Sequence, residues 1–165
     1  VWQIAQDQAA AKQVLSEFGS LPFRIEKRKT VNSVTYYNDS FASAPGATVA
    51  AIEAIPGKKV IILGGYERGL DLGKIIGTIK KHSDEISKLI LIGASADRLA
   101  VALKDKGFIN YVKCRCQNME DMVNEATRYA EKDGSVVLSP GFPSFDMFKN
   151  FEDRGIQFNE AVEKL

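Results

Sequence analysis

The 165-residue sequence predicts an α/β fold: a Rossmann-like, mostly parallel sheet with helices on both faces and one antiparallel edge hairpin. Three observations predict it. From Lys58 onward, short apolar runs alternate with amphipathic stretches, the rhythm of strand–helix units. The runs at Val60–Leu63 and in "SKLILIG" lack alternating polar positions, which marks strands buried on both faces. Before them, two segments rich in β-formers lie close enough in sequence to pair as a hairpin.

The elements follow in order. Residues 3–18 have a helical pattern, with Ile4, Ala11, Val14, Leu15 and Phe18 along one side. Gly19 and the Leu21–Pro22 pair end it, so residues 1–20 are expected to be a linker or the remnant of a preceding domain, and residues 21–165 one domain. "FRIEKRK" and "SVTYYNDS" form the hairpin, with its turn at Thr30–Asn32. Pro45 starts a helix that runs to Ile55 and stops at Pro56–Gly57. Next come the strand "KKVIILGG", the helix "DLGKIIGTIKKH", the strand "SKLILIG" and the helix "SADRLAVALKDKG". The strand "INYVKC", the helix "NMEDMVNEATRYAEKDG" and the strand "SVVLSP" complete the alternation, and a helix is expected from Ser144 to the end.

Bulk properties narrow the function. A formal net charge of +1 gives no reason to expect a nucleic-acid or membrane partner. No apolar run reaches the ~18 residues of a membrane span. The start of the chain lacks the basic and apolar blocks of a signal peptide, and it lacks an initiator Met, as a piece of a longer protein would. Cys114 and Cys116 are expected as reduced thiols of a cytoplasmic protein, and the lone His82, among charged residues, as solvated surface. No metal site is expected.

In a parallel sheet, ligands gather beyond the C-terminal ends of the strands. Three unusual segments fall there: "NDSFASAPGAT", "GGYERGLD" and "SPGFPSFD". In the first, small polar residues let backbone approach a ligand; Asp39 and Ser43 serve equally well as caps of a turn or helix. In the second, Gly64 and Gly65 allow a sharp turn, and Arg68 can clamp a carboxylate; a plain turn with Asp71 as cap explains the same residues. In the third, Ser144 is a candidate helix N-cap with free amides at Phe145 and Asp146. Phe145, Phe148 and Phe151, spaced by three, can wall that anion site or pack in the core. Their common location is a stronger signal than any one alone.

These segments, "YYNDSFASAPGATVAAI", "ILGGYERGLDL" and "LSPGFPSFDMFKNFEDRGIQF", resemble the C-terminal domain of the Mur ligases, nearest to the D-glutamate-adding branch. The usual patterns there are "NDSKATN"-like, "GGxDKGxDF"-like and "SPACASFDxFKNFxxRGxxF"-like. The match runs from Leu21 nearly to the end, and the third pattern is the most specific. The resemblance implies an ATP- and Mg2+-dependent ligase of the cytoplasm, in the synthesis of peptidoglycan precursors. It would add D-glutamate to UDP-N-acetylmuramoyl-L-alanine through an acyl phosphate, and this domain would bring the amino acid and complete the ATP/ADP site. Carried over by position, Ser43, Arg68, Ser144, Phe145 and Phe151 would hold D-glutamate, and Arg24 and Asp39 would lie beside the nucleotide.

The sequence departs from the pattern in places. Phe41 stands where the family usually has lysine, Phe23 replaces a histidine, Arg68 replaces a lysine, and Gly141–Pro143 replaces "ACA". No G-x-x-x-x-G-K-[ST] occurs in these residues, so no catalytic residue, no tightly held cofactor and no turnover are expected of this chain alone. The UDP-sugar would be met by other domains. Another Mur-type or folylpolyglutamate-type ligase domain, a stand-alone Rossmann-like nucleotide module and a purely structural domain are the rival readings.

Overall fold

A computed structural model describes residues 21–116 and 118–165, together with Lys12. The helix expected over 3–18 and the division at residue 20 otherwise lie outside the described residues. The chain runs β1 (Glu26–Val31), β2 (Val34–Asn38), α1 (Pro45–Ala54), β3 (Lys59–Gly64), α2 (Gly73–Lys81) and β4 (Ile86–Ile92). It continues with α3 (Ala96–Asp105), β5 (Tyr111–Lys113), α4 (Met119–Thr127), β6 (Ser135–Leu138) and α5 (Phe151–Glu163). The strands form one six-stranded sheet in the order β1-β2-β6-β3-β4-β5. Only the β1–β2 pair is antiparallel, which is the edge hairpin the sequence predicts.

Strand parity divides the core. Successive side chains of a strand point to opposite faces. Ile61 and Leu63 of β3, with Leu89 and Leu91 of β4, meet Ile52 of α1, Ile75 and Ile79 of α2, and Leu99 and Leu103 of α3. The alternate residues, Val60 and Ile62 with Ile90 and Ile92, meet Met122 and Val123 of α4 and Phe158 and Val162 of α5. The unbroken apolar runs are therefore two alternating sets, each covered by its own helical layer. All six residues of β3, including Lys59, are buried. The Lys59 ammonium reaches Glu85 at 2.6 Å, which offsets the cost of enclosing it.

Four local expectations are corrected. The first strand begins at Glu26 rather than Phe23, because Phe23 and Ile25 have φ of 62° and 45° and cannot continue a strand. The hairpin turns at Asn32–Ser33, both at positive φ, the geometry that matches the twist of paired strands. The last helix starts at Phe151, capped by Asn150, whose side chain accepts from Asp153 N at 2.7 Å; Ser144 is not its cap. His82 is largely covered, its side chain 18% exposed and bonded to Glu85. The sulfurs of Cys114 and Cys116 lie side by side. They are two residues apart on an extended segment, so both point the same way, and their Cα atoms are 5.2 Å apart. Among the described residues no helix is long and apolar enough to cross a membrane.

Candidate functional site

The strand order reverses around β3, whose neighbours are β6 and β4, and the loops leaving these strands converge on one end of the sheet. Hydrogen bonds tie them together. Gly64 N donates to Pro140 O at 2.8 Å and Tyr66 N to Pro143 O at 2.9 Å. Gly141 N donates to Ala42 O at 2.8 Å, and Asp39 N to Leu138 O at 2.8 Å. Ser95 N donates to Gly65 O at 3.0 Å, Gly65 N to Ser95 Oγ at 3.0 Å, and Ala94 N to Asp146 Oδ2 at 2.8 Å. Gly64, at φ 124°, must be glycine, because a Cβ there would collide with Ile92 O.

A cleft of about 200 Å³ opens between these loops. Its lining includes Ser43, Arg68, Ser144, Phe145 and Phe151, so residues from all three strand-end segments share one wall. Arg68 and Ser43 are exposed, whereas Ser144 is 2% exposed, at the floor. Ser144 begins a single turn: its carbonyl accepts from Met147 N at 3.1 Å and Phe148 N at 2.9 Å. The amides of Phe145 and Asp146 donate to no acceptor among the described residues. The arrangement can hold a small acid by a guanidinium on one side and hydroxyl or amide donors on the other.

The three phenylalanines do not form the single wall their spacing predicts. Phe145 is 66% exposed and meets Tyr66 edge-on, Phe148 packs against the α4–α5 core, and only Phe145 and Phe151 line the cleft. Their shared face would need a helix running from Ser144, and the turn there ends before α5 begins.

A neighbouring cleft of about 310 Å³ is lined by Arg24, Ile25, Asp39, Phe41 and Ala42. Asp39 caps neither a turn nor α1. Its Oδ2 accepts from Ser139 Oγ at 2.6 Å and its Oδ1 from Ile25 N at 3.1 Å. Burial pushes its carboxyl up to about 6, against the pull of those two hydrogen bonds and of Arg24 and Arg154. Helix α1 has no side-chain cap; Pro45 at its first turn supplies the start.

Beneath both clefts lies Arg154, wholly buried, which sequence reasoning missed. Its guanidinium donates to Phe142 O at 3.0 Å, Ser40 O at 2.8 Å and, through Nε, Ser40 Oγ at 3.0 Å. It thus fastens the loop after β2 to the loop after β6. Burial lowers it to about 10, opposed by Asp146 and then Asp39. The signal was its place among Gly155, Phe158, Ala161 and Val162 on the buried face of α5, where an arginine has no solvent to reach. A larger cleft, about 450 Å³, opens at the far edge beside Lys113, Cys114, Arg115 and Arg128. It follows the edge strand β5 and gathers none of the three strand-end segments, so the clefts that bring those segments together are the better candidates.

The family described as "Mur ligase, glutamate ligase domain" matches residues 23–142. This chain belongs to that Mur ligase family. Similar proteins include the UDP-N-acetylmuramoylalanine–D-glutamate ligase of Acetivibrio thermocellus, 35% identical over 168 residues, covering 96% of this chain and 34% of the relative. The ligase of the same name from Pelodictyon phaeoclathratiforme is 40% identical over 153 residues, covering 93% and 32%. The chain spans about a third of the length of the curated relatives it matches. Among solved structures it is similar to the MurF ligase of Thermotoga maritima in complex with ADP, with a TM-score of 0.55, 17% identity, and coverage of 91% of this chain and 33% of that one. E. coli FolC in complex with ADP gives a TM-score of 0.55 at 18% identity, covering 88% and 33%. At these identities the two structures support the fold alone. The Mur ligase match ends at Phe142, so the Ser144 turn and α5 lie beyond it, within the stretch shared with the full-length relatives.

Proposed function

We propose that this Mur ligase domain is the amino-acid-binding part of an ATP-dependent ligase that joins D-glutamate to UDP-N-acetylmuramoyl-L-alanine. One observation carries the reading: Ser43, Arg68, Ser144, Phe145 and Phe151, from three separate strand ends, line one cleft sized for a small acid. Arg68 faces one carboxylate of D-glutamate. The Ser144 turn, with the unspent amides of Phe145 and Asp146, faces the other. The amine is left pointing out of the cleft, toward the acyl group that the rest of the ligase would present.

The reaction asks little chemistry of these residues. ATP transfers its γ-phosphoryl group to the alanyl carboxylate, giving an acyl phosphate and ADP. The D-glutamate nitrogen forms the new C–N bond, loses a proton, and the C–O bond to phosphate breaks. This chain contributes position: it fixes the nucleophile and neutralises its two carboxylates, so the amine meets the acyl carbon in one orientation. Arg24 and Asp39 lie on the nucleotide side. Among the described residues no group of three or more His, Cys, Asp or Glu side chains could hold a metal ion. The chain is expected to bind and orient without turning over.

Amide NMR spectra recorded during titration test this. D-glutamate is expected to shift the Arg68, Ser144 and Phe145 signals, while L-lysine leaves them in place, and Arg68→Ala abolishes the response. Equal responses to both amino acids would move the assignment to another amide ligase of the family. A response at neither Arg68 nor Ser144 would end it.

A further inference from the structure

Arg24 sits in backbone that its neighbours' side chains do not favour. Phe23 and Ile25 both have positive φ, a costly region for a bulky residue and more so for a β-branched one. Three hydrogen bonds hold them there. Phe23 N donates to Glu26 Oε2 at 2.9 Å, Ile25 N to Asp39 Oδ1 at 3.1 Å, and Phe41 N to Phe23 O at 3.0 Å. The result is the placement of the Arg24 side chain: its Cζ lies 3.8 Å from the centroid of the Phe41 ring. Phe41 in turn meets Phe151 edge-on, centroids 5.0 Å apart, and Phe151 lines the Ser144 cleft. The Phe41 ring is 41% exposed and belongs to neither core cluster. Packing of the interior therefore does not account for it.

We propose that Phe41 is the positioning residue of the Asp39 cleft, its ring seating the Arg24 guanidinium at the cleft wall to meet a nucleotide. The inference rests on reading that cleft as the nucleotide side. The strained clip at residues 23–25 brings Arg24 to the ring, and the ring confines a long side chain that would otherwise sample many rotamers. A guanidinium held by its face keeps its N–H donors at the edge, free for a ligand. Confinement before binding also lowers the ordering cost at binding. An ammonium at position 41 would repel Arg24 instead of seating it. Through Phe151, the same stack joins the nucleotide-side cleft to the wall of the amino-acid cleft.

NMR of the protein, with ADP as the probe, tests the proposal in four variants: Phe41→Leu, Phe41→Tyr, Arg24→Ala and the double Phe41→Leu/Arg24→Ala. Stacking predicts an upfield ring-current shift of the Arg24 side-chain protons in wild type and Phe41→Tyr, lost in Phe41→Leu. ADP affinity is expected to fall about fivefold in Phe41→Leu and to stay near wild type in Phe41→Tyr. The double variant should bind no more weakly than Arg24→Ala, because the two side chains act as one unit. Melting temperature should be unchanged in Phe41→Leu, which separates positioning from folding. Full ADP affinity in Phe41→Leu, or losses that multiply in the double variant, would overturn the role of Phe41 alone. Wild type that keeps the ring-current shift but ignores ADP would instead overturn the nucleotide reading, and the role of Phe41 with it.

Discussion

Replacing Asp39 by asparagine changes one atom and, at neutral pH, one charge. Asp39 is 5% exposed, and burial raises its carboxyl from 3.8 to about 6. Between those values the folded protein binds a proton that the unfolded chain has released. Stability therefore falls as pH rises through this window, is free of the penalty below it, and carries the full penalty above it. A shift of this size corresponds to about 3 kcal/mol, at roughly 1.4 kcal/mol per unit. The substituted amide would mimic the neutral acid. Its oxygen can accept from Ile25 N, and its nitrogen can donate to Ser139 Oγ, whose hydroxyl proton rotates away. Urea unfolding of wild type and Asp39→Asn, from pH 4 to 7.5, measures the difference. The variant should gain about 3 kcal/mol on wild type across that range, or roughly 10 °C in melting temperature for a domain of this size. Using the difference cancels every other titrating group. A flat difference would refute the claim that burial dominates Asp39. A difference growing toward acid would show that Arg24 and Arg154 outweigh desolvation.

Four further substitutions, at three positions, probe the fold. Arg154→Met should cost about 4 kcal/mol in urea unfolding, because Phe142 O and Ser40 O lose their donor and two aspartates lose a buried counter-charge. Arg154→Lys should recover only part of this, since an ammonium cannot span the same acceptors. Gly64→Ala should cost about 3 kcal/mol or more by the same measurement, because φ of 124° is closed to alanine and its Cβ meets the backbone of Ile92. Glu85→Gln should remove a stabilisation seen at neutral pH and lost toward acid. The Lys59 hydrogen bond, and then that of His82, hold the Glu85 carboxyl below its ordinary value. Its support is present above the unfolded value and disappears as pH falls through the lower folded one, so acid unfolding curves of wild type and variant should converge.

Much of the fold was legible because its strands are long in apolar residues and short in ambiguity. Val60–Leu63 and Leu89–Ile92 can satisfy their side chains only between two layers, and alternation with helices makes the sheet parallel. The site's location followed, since three glycine- and serine-rich segments all left such strands at the same end. What escaped was set by distant partners. Nothing in "FRIE" announces that Ile25 will adopt positive φ; Asp39, brought in by folding, accepts from its amide and holds it there. The true start of α5 was readable, because Asn150 followed by Asp153 three residues later is a capping pattern, and the aromatics before it drew attention to Ser144 instead. Arg154 was visible as a charge on an apolar stripe, but its acceptors are carbonyls, which no side-chain pattern displays.

The misfits share an address. Bulky residues at positive φ, a buried carboxylate, an enclosed guanidinium and several glycines that admit no Cβ lie at or beside the C-terminal ends of β2, β3, β4 and β6, whereas the buried Lys59, at the other end, has Glu85 as its partner. Each costs stability on its own, and the two cores on either side of the sheet offset that cost. A chain selected only to fold would relieve at least one of them: asparagine in place of Asp39 would serve the same hydrogen bonds without burying a charge. The buried charge is therefore informative. It argues that Asp39 answers to something outside the fold, and a ligand lying between Asp39 and Arg24 fits that demand, because both residues line the same open cleft. On this argument Asp39→Asn should be the more stable protein and the poorer binder of ADP, and an Asp39→Asn variant that gained stability while keeping full ADP affinity would remove the functional reason for the buried charge.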